Sequence, residues 1–352
     1  MKFGLIIGQI EKIGGMEKQA VLLSRELKKR SVEVILFISG SGIINRKTGS
    51  LKLDSIPQKY LYHSRYSNYL SKRLLQYHCN RLNITKLIAF NVENAEIAVA
   101  AGIDGKVAMN VRGTKFSTDP RLAQRYRNAA VRCDYLITNS SNTAELLQKL
   151  QIADKNNIII IHNGIELPEI ELSPESKMVL YVGSIKEVKD PMTFAMACHE
   201  VIRRDSDVRV VMAGDGNMKT LIENYISDNG LTRNFTLMGE VPYSEIPYDK
   251  ASVFVNSSLR ESSCNSLLEA LSFGVPVVAT ANPGNSGIIS ELDHHELVPV
   301  SNSEKMAEAI YSLLSVRPDR RKAIFEQSRN LISERYSVSK MVDDYIESFL
   351  SS

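Results

Sequence analysis

The chain has 352 residues, of which 43% are hydrophobic and 24% charged, and its formal net charge of +3 is typical of a folded globular protein rather than a disordered or fibrous one. This length exceeds what one hydrophobic core usually organises, so we expect two domains. The four scattered cysteines argue against structural zinc and a disulfide framework, and the sequence shows neither a secretory signal nor an apolar run long enough to cross a bilayer, so we expect a cytoplasmic protein.

The first half of the chain alternates short apolar runs with amphipathic stretches, which is the pattern of βαβ units. The predicted strands are FGLII (3–7), VEVILFI (32–38), KLIAF (86–90), KVAMNV (106–111), YLIT (135–138) and NIIII (157–161). A helix is predicted from about Gly15 to Lys29, where apolar residues recur on one face. The glycine pair at its start would let a phosphate or sugar approach the backbone, although a flexible turn has the same signature.

A segment rich in proline and glutamate, 166–177, reads as a linker between two halves. Further strands are predicted at 178–183, 209–214, 235–239, 252–257 and 275–280, with helices at about 191–203, 217–228, 265–273 and 304–315. We therefore predict an α/β fold of two Rossmann-like, doubly wound domains, 1–168 and 169–335, facing a cleft. Residues 336–352 are predicted to form a C-terminal helix. Ligands of such folds bind at the carboxyl ends of the strands, so the cleft is the expected site.

The two predicted domains carry opposite net charges. Residues 1–168 contain 25 Lys/Arg against 13 Asp/Glu, a net +12, and the remainder contains 18 against 27, a net −9. A basic half is typical of a protein that meets nucleic acid, an anionic membrane surface or a phosphorylated substrate. No RNA- or DNA-binding module is apparent in the sequence, so we expect no nucleic-acid partner.

The segment RESSCNSLLEALSFGVP (260–276) combines two carboxylates with a helix start. Glu261 follows a predicted strand and Glu269 lies about one turn into the next helix, so both should face the cleft. Asn265 or Ser266 can cap this helix, whose N–H groups and positive dipole end favour an anion. The arrangement suits a diphosphate at the helix start and hydroxyl groups at the carboxylates, although surface glutamates beside an ordinary cap would give the same spacing.

Two lysines, Lys186 and Lys189, lie in the loop after the strand at 178–183. A leaving diphosphate must have its growing negative charge stabilised by a metal ion or by fixed cations. This half of the chain has no DxD-type pair in a strand-end loop, so lysines are the candidates for that role and we expect no metal and no cofactor. The alternative is that both lysines are merely solvated.

Together these stretches resemble the retaining GT-B glycosyltransferases of family 4, over nearly the whole chain. The stretches that carry the resemblance are GGMEKQA (14–20), HNGI (162–165), YVGSIKEVKD (181–190), MAGDG (212–216), the glutamate pair at 261 and 269, VPVVAT (275–280) and PGN (283–285). The resemblance implies transfer of a sugar from a nucleotide diphosphate donor, with two domains facing a cleft. It also implies that the final helix returns to the N-terminal domain.

The resemblance implies a role for individual residues as well. Lys189 would contact the donor diphosphate, Glu269 would hold the ribose hydroxyls, and Glu261 would contact the transferred sugar. The remaining implied donor contacts are the backbone of Asn265, Ser266 and Leu267 at the phosphates, the loop around Val241 at the nucleobase, and Gly15 from the opposite domain.

The chain departs from the family pattern at two important positions. Ser184 stands where the family usually has arginine, which removes half of a cation pair unless Lys186 replaces it. The acceptor-side histidine of the family has no counterpart in the stretch that includes Asn110 and Arg112, so these two residues are the acceptor-side candidates. Both departures bear on sugar specificity.

We therefore predict a retaining transfer of a hexose-type sugar from a UDP- or GDP-sugar to a lipid-linked or saccharide acceptor, in the synthesis of cell-surface polysaccharide, lipopolysaccharide or glycolipid. One alternative is a nucleotide-sugar 2-epimerase of the same fold, which would need acid and base residues that the sequence does not clearly offer. The other is a non-catalytic sugar-nucleotide-binding protein, a possibility that Ser184 keeps open.

Basic clusters in the first half predict peripheral docking on the inner face of an anionic membrane. They comprise Arg65, Lys72, Arg73 and Arg81 in one group and Arg121, Arg125, Arg127 and Arg132 in another. Solvated helix faces would give the same pattern, and both interpretations stay open at this point.

Overall fold

The computed structural model describes residues 2–8, 15–39, 56–61, 68–171 and 176–350. The chain divides into two compact units, Met1–Gly164 with Val338–Ser352 and Ile165–Ser337. Each unit contains a parallel β-sheet with helices packed on it, which confirms the predicted α/β class.

The sheet of the first unit consists of seven described strands. They are β1 (Lys2–Ile7), β2 (Glu33–Ser39), β3 (Gln58–Leu61), β4 (Lys86–Phe90), β5 (Lys106–Val111), β6 (Tyr135–Thr138) and β7 (Ile158–Ile160). All neighbouring pairs are parallel, in the order β3-β2-β1-β4-β5-β6-β7. The central strands are almost entirely buried because helices cover both faces, which is why they read as continuous apolar runs.

Five helices connect these strands: α1 (Gly15–Lys29), α2 (Asn68–Leu82), α3 (Val92–Ala101), α4 (Pro120–Ala130) and α5 (Ser141–Lys149). Side chains that precede three of these helices cap their first turns. Asn91, Asp119 and Ser140 accept hydrogen bonds from backbone N–H groups in the first turns of α3, α4 and α5 respectively. The buried residues of α1, among them Ala20, Leu23 and Leu27, form its predicted apolar face.

The second unit repeats the architecture with six strands. They are β8 (Met178–Val182), β9 (Arg209–Ala213), β10 (Phe235–Gly239), β11 (Val253–Asn256), β12 (Val277–Thr280) and β13 (Glu296–Val298). All are parallel, in the order β10-β9-β8-β11-β12-β13. The order therefore reverses between β8 and β11.

The helices of the second unit are α6 (Pro191–Arg204), α7 (Lys219–Asp228), α8 (Asn265–Ser272), α9 (Pro283–Ile289), α10 (Ser303–Leu314) and α11 (Pro318–Leu331). Helix α8 ends where Gly274 takes a φ of +67°, and a Cβ at this position would lie 2.3 Å from the ring of Phe325. Glycine is therefore required there, just after the end of the helix.

The chain returns to the first unit at its C-terminus. After a π-helical turn at 332–336, helix α12 (Val338–Tyr345) and the following turn insert Met341, Val342, Tyr345 and Phe349 into the core of the first unit. The Nζ of Lys86 donates a hydrogen bond of 3.0 Å to the carbonyl of Phe349. None of the described helices combines the length and apolarity that a bilayer crossing requires.

Strands β3 and β13 were not predicted from the sequence. Both are edge strands of only four and three residues, and most of their side chains are partly exposed. Segments this short carry no readable period, and they become strands because they pair with β2 and β12.

Candidate active site

The loops that follow β8 and β11 lie on either side of the point where the strand order of the second unit reverses, the usual ligand position in doubly wound folds. The first loop carries Lys189 and the second carries Glu261. The loops are joined to each other: Leu259 N–H donates to the carbonyl of Val188 at 2.9 Å, and Ser257 Oγ donates to that of Lys189 at 2.7 Å. The backbone around Lys189 is thus fixed against the Glu261 loop.

Glycines allow the lysine loop to pack tightly against the turn after β9. A Cβ at Gly214 would lie 1.9 Å from the carbonyl oxygen of Gly183, and one at Gly216 would lie 2.2 Å from that of Ile185. No side chain fits in either place, so these two glycines of the GDG stretch (214–216) let the loop pack against the turn.

Lys189 and Glu261 form a direct ion pair. The Nζ of Lys189 donates to Oε1 of Glu261, and Ser258 Oγ donates to the same oxygen at 2.9 Å. Only 25% of the lysine side chain and 11% of the glutamate side chain are exposed. Burial is the largest single influence on the pKa of Lys189 and lowers it, but the charges of Glu261 and Cys264 and the hydrogen bond to Glu261 together raise it more, and the net pKa lies above its ordinary value. Lys189 is therefore a fixed cation at neutral pH.

Glu269 lies in α8 and has a different environment. It is 6% exposed, and its Oε2 accepts a hydrogen bond of 2.8 Å from the hydroxyl of Tyr248. Tyr248 is buried and stacks on Phe273 at a centroid distance of 5.3 Å. Burial, followed by the charge of Glu269, raises the pKa of Tyr248 well above its ordinary value, so the phenol remains a hydrogen-bond donor. The described contacts do not link Glu269 directly to the Lys189–Glu261 pair.

The start of α8 differs from the prediction in one detail. The residue that caps the helix is Cys264, not Asn265 or Ser266, and its side chain contacts Ser266 Oγ at 3.3 Å. Asn265, Ser266 and Leu267 are instead the first three helical residues, the positions whose N–H groups have no partner of the usual helical kind. The prediction was wrong because it rested on the residue type at 265, whereas the backbone angles of 264 determine where the helix starts.

A buried polar network that the sequence did not reveal supports the glutamate loop. Asn285 Nδ2 donates to Asn256 Oδ1 and to the carbonyl of Thr280, both at 3.0 Å. The N–H of Ser258 donates to the same Asn256 oxygen at 3.1 Å, and Thr280 Oγ1 donates to the Ser258 carbonyl at 2.5 Å. Ser258 is therefore held on both sides while its hydroxyl holds Glu261. The stretch PGN drew attention to Asn285, but nothing local in the sequence indicates its partners.

The other predicted donor-side residues are half-buried or exposed. Ser184 is half-buried, and its carbonyl accepts a hydrogen bond of 3.1 Å from Tyr181. Lys186 is exposed, and it forms no ion pair with any residue in the described part of the chain. Val241 is half-buried in the loop after β10, and Gly15 is exposed at the start of α1 in the first unit.

In the first unit, the two acceptor-side candidates lie together at the end of β5. Arg112 Nε donates to Asn110 Oδ1 at 2.8 Å, and Asn110 Nδ2 donates to the hydroxyl of Tyr345 at 2.7 Å. Arg112 also donates to Asn163 Oδ1. Asn110 is completely buried, whereas Arg112 is half-buried. Sequence reasoning missed Tyr345 because it lies 233 residues from Arg112 along the chain.

The two predicted basic clusters differ in the structure. In the second cluster, Arg125 pairs with Glu93 and Glu96, whereas Arg127 and Arg132 donate to backbone carbonyls. In the first cluster, Arg65 lies outside the described residues. The remaining three basic residues are on α2, which has no acidic residue. They are Lys72, Arg73 and Arg81, and each lies over the ring of Tyr69 or Tyr77.

Across the described ranges, no group of three or more His, Cys, Asp or Glu side chains is arranged to hold a metal ion. The Lys189–Glu261 pair contains a single carboxylate. Such a pair suits an anionic ligand better than a divalent cation.

Comparison with known proteins yields two family matches. A profile described as Glycosyl transferases group 1 matches residues 165–330, and one described as Glycosyltransferase Family 4 matches residues 13–169. The first match includes both loops of the ion pair and helix α8. Together the two matches span the described parts of both sheets except the first strand.

Among the curated relatives, the alpha-D-kanosaminyltransferase of Streptomyces kanamyceticus is 30% identical over 168 residues, which cover 47% of this chain and 43% of that protein. The UDP-Gal:alpha-D-GlcNAc-diphosphoundecaprenol alpha-1,3-galactosyltransferase of Escherichia coli is 27% identical over 228 residues, or 59% of this chain and 58% of that protein. The chain thus spans about half the length of these two relatives.

Among solved structures, Anabaena HepE in complex with UDP and glucose superposes with a TM-score of 0.83 and 15% identity, over 100% of both chains. At this level of identity the similarity concerns the fold.

Proposed function

Because this chain belongs to the group 1 glycosyltransferases and has the GT-B fold, we propose that it moves a hexose-type sugar from a UDP- or GDP-sugar to an acceptor hydroxyl, with retention at the anomeric carbon and without a metal ion. The observation that carries the proposal is the ion pair of Lys189 and Glu261 beside the start of α8. The similar fold of HepE, solved with UDP and glucose, supports a nucleotide-sugar donor.

Lys189 would stabilise the leaving diphosphate. Its ammonium group is partly buried and held in place, so its attraction for an anion is weakened less by water than that of a surface lysine. In the free protein its partner is Glu261. A bound diphosphate carries more negative charge than one carboxylate and would replace it. Glu261 would then accept hydrogen bonds from hydroxyl groups of the transferred sugar.

The chemical step needs no protein nucleophile. The bond between the anomeric carbon and the β-phosphate oxygen breaks, and its electron pair stays on that oxygen. The acceptor oxygen bonds to the same face of the anomeric carbon, and its proton passes to the departing phosphate. Glu261 would orient the sugar rather than attack it, a role that suits a carboxylate that Ser258 still holds after the diphosphate has taken its place at Lys189.

The remaining donor contacts are proposed for residues of the second unit and for the start of α1. Glu269, oriented by Tyr248, would accept hydrogen bonds from the ribose hydroxyls. The other proposed contacts are Asn265, Ser266 and Leu267 at the phosphates, Val241 at the nucleobase, and Gly15 on the first unit. The dipole of α8 would add to the attraction for the diphosphate.

Ser184 leaves the donor site with one fixed cation instead of two. Lys186 is exposed and has no described anionic partner, so it is available to approach the phosphates but is not held there. We therefore assign the main charge stabilisation to Lys189 and a minor role to Lys186.

For the acceptor, we propose a lipid-linked or saccharide molecule used in cell-surface polysaccharide, lipopolysaccharide or glycolipid synthesis. The name of the E. coli relative gives a diphosphoundecaprenol-linked sugar as its acceptor. Helix α2 supports docking of the first unit on an anionic membrane, because it exposes Tyr69, Leu70 and Tyr77 beside three basic residues and contains no acidic one.

A panel of UDP- and GDP-sugars, incubated with the full chain in EDTA, tests the proposal. We expect one donor to raise the melting temperature and to be consumed when a suitable acceptor is present, and the product to keep the donor's anomeric configuration by NMR. An inverted product would contradict the retaining mechanism. Formation of a C2-epimer of the donor would identify an epimerase. If the protein binds a donor but does not consume it with any acceptor, a non-catalytic sugar-nucleotide-binding protein would be favoured.

A further inference from the structure

The half-buried guanidinium of Arg112 lies just after β5, at the carboxyl edge of the first sheet. We propose that Arg112 binds an oxyanion of the acceptor, so that the acceptor carries a phosphate group. This inference rests on the proposed function, whose acceptor side it specifies. It concerns the first unit alone and is independent of the Lys189–Glu261 pair.

Four neighbours hold the guanidinium in one orientation. Its Nε donates to Asn110 Oδ1 at 2.8 Å, its Nη1 donates to Asn163 Oδ1, and its Nη2 donates to the Tyr345 hydroxyl at 3.4 Å. The group also lies over the ring of Phe90, with 5.7 Å between Cζ and the ring centroid. A side chain held in this way loses little conformational entropy when it binds a ligand.

None of these neighbours neutralises the charge of Arg112. Two are amide oxygens, one is a phenol and one is a hydrocarbon ring, and no carboxylate in the described part of the chain forms an ion pair with this arginine. Partly buried charges are normally paired. The three hydrogen bonds use three of the five N–H groups, which leaves one on each terminal nitrogen for an oxyanion.

Two buried oxygens at the end of the neighbouring strand β6 point to the rest of the ligand. Thr138 Oγ1 and Asn139 Oδ1 have no hydrogen-bond partner among the described residues, although both residues are at most 3% exposed. Asn139 Nδ2 reaches the same Asn163 oxygen as Arg112, at 3.4 Å, so the two side chains are close neighbours. A ligand with an oxyanion at Arg112 and hydroxyl groups near β6 would be a phosphorylated sugar or polyol.

The competing explanation is that Arg112 only anchors helix α12. The Tyr345 hydroxyl accepts hydrogen bonds from both Asn110 and Arg112, and Tyr345 is completely buried. The substitution Tyr345→Phe removes this anchor and leaves the arginine charge in place. Arg112→Gln removes the charge. The two variants therefore separate anchoring from anion binding.

The test uses inorganic pyrophosphate as the probe, with the full chain saturated by UDP so that the donor site is occupied. The pyrophosphate concentration that gives half of the maximal thermal shift is measured for the wild type and the variants. We expect Arg112→Gln to raise this concentration about tenfold or more, the loss expected for a charge-assisted pair of hydrogen bonds. Arg112→Lys should give an intermediate value, and Tyr345→Phe should stay within about threefold of the wild type.

Equal titrations of the wild type and Arg112→Gln would overturn the inference, as would an equal loss in Tyr345→Phe. A loss of UDP affinity in Arg112→Gln would also overturn it, because the arginine would then belong to the donor site. If Arg112→Gln does not fold, Arg112→Lys decides between the same outcomes. If the wild type binds GDP instead of UDP, GDP takes the place of UDP in this test. If it binds neither nucleotide, the proposed function is wrong, while the pyrophosphate titration without nucleotide still tests Arg112.

Discussion

At the scale of single residues, the candidate site depends on carboxylates that other side chains hold in place. Glu261 is fixed by Lys189 and Ser258, and Glu269 is fixed by Tyr248. Lys189 and Glu261 were predicted from the sequence because they lie in loops that follow strands, and Glu269 because it lies about one turn into the next helix. Ser258 and Tyr248 were not, because only the folded chain shows which hydroxyl group reaches which carboxylate.

Tyr248→Phe should weaken donor binding without abolishing turnover. The substitution keeps the buried ring and its stacking on Phe273 but removes the hydrogen bond to Glu269, so we expect an increase of about tenfold in the KM for the donor. Glu269→Ala removes the ribose contact itself and should lower kcat/KM by about 10²-fold or more.

The matched control for Tyr248→Phe is Tyr225→Phe. Tyr225 is in the same unit, and its hydroxyl is hydrogen-bonded to His199 at 3.1 Å, away from Glu269. Donor kinetics of this control should equal those of the wild type. If Tyr248→Phe also behaves as the wild type, the hydroxyl does not orient Glu269 for the donor.

At the scale of secondary-structure elements, helix α2 is the part of the first unit that best suits a charged surface. Its exposed tyrosines and basic residues alternate at a spacing of four, Tyr69, Arg73, Tyr77 and Arg81, and therefore lie on one face. Arg73 Nε and Arg81 Nη1 donate to the tyrosine hydroxyls at 3.3 and 3.0 Å. The arginines of α4, in contrast, are largely engaged within the protein.

Liposome co-sedimentation tests this face. Binding should require anionic lipid and weaken as salt rises from about 0.1 to 0.5 M, because exposed charges are screened. Replacing Lys72 and Arg73 with Glu should abolish most of the binding to anionic liposomes. The double variant Arg121→Glu, Lys149→Glu changes the net charge equally on exposed positions outside α2, and should bind nearly as the wild type does. Equal binding to neutral and anionic vesicles would contradict membrane docking through charge.

The elements themselves show how far the sequence determines the fold. The central strands and the helices α1, α6, α7, α8 and α10 were predicted within one or two residues, because burial imposes a period on their apolar residues. The edge strands β3 and β13 were missed, since half-exposed segments such as Gln58–Leu61 carry no such period. The cap of α8 was predicted at Asn265 or Ser266 but lies at Cys264, because backbone angles rather than the residue type decide where the helix starts.

At the scale of the whole molecule, local patterns in the sequence indicate two like-folded units, whereas the return of the final helix to the first unit was implied only by the family resemblance. We placed the boundary at 168 from the proline- and glutamate-rich segment. In the structure the chain leaves the first unit after Gly164, and Ile165 N–H already donates to the carbonyl of Tyr336 at 2.7 Å. A Cβ at Gly164 would lie 2.9 Å from the Cα of Val338, so glycine permits the two chain crossings to pass side by side. Contacts so distant in sequence cannot be read from local patterns.

We propose that a fixed lysine, rather than a metal ion, holds the diphosphate of the donor, and calorimetric titration of UDP and GDP in EDTA tests this proposal. The wild type should bind one of these nucleotides without metal. Lys189→Ala should bind it about tenfold or more weakly, whereas Lys186→Ala, which removes an exposed lysine of the same loop, should stay within about threefold of the wild type. Binding that disappears in EDTA and returns with Mn²⁺, or equal affinity in the wild type and Lys189→Ala, would contradict the account.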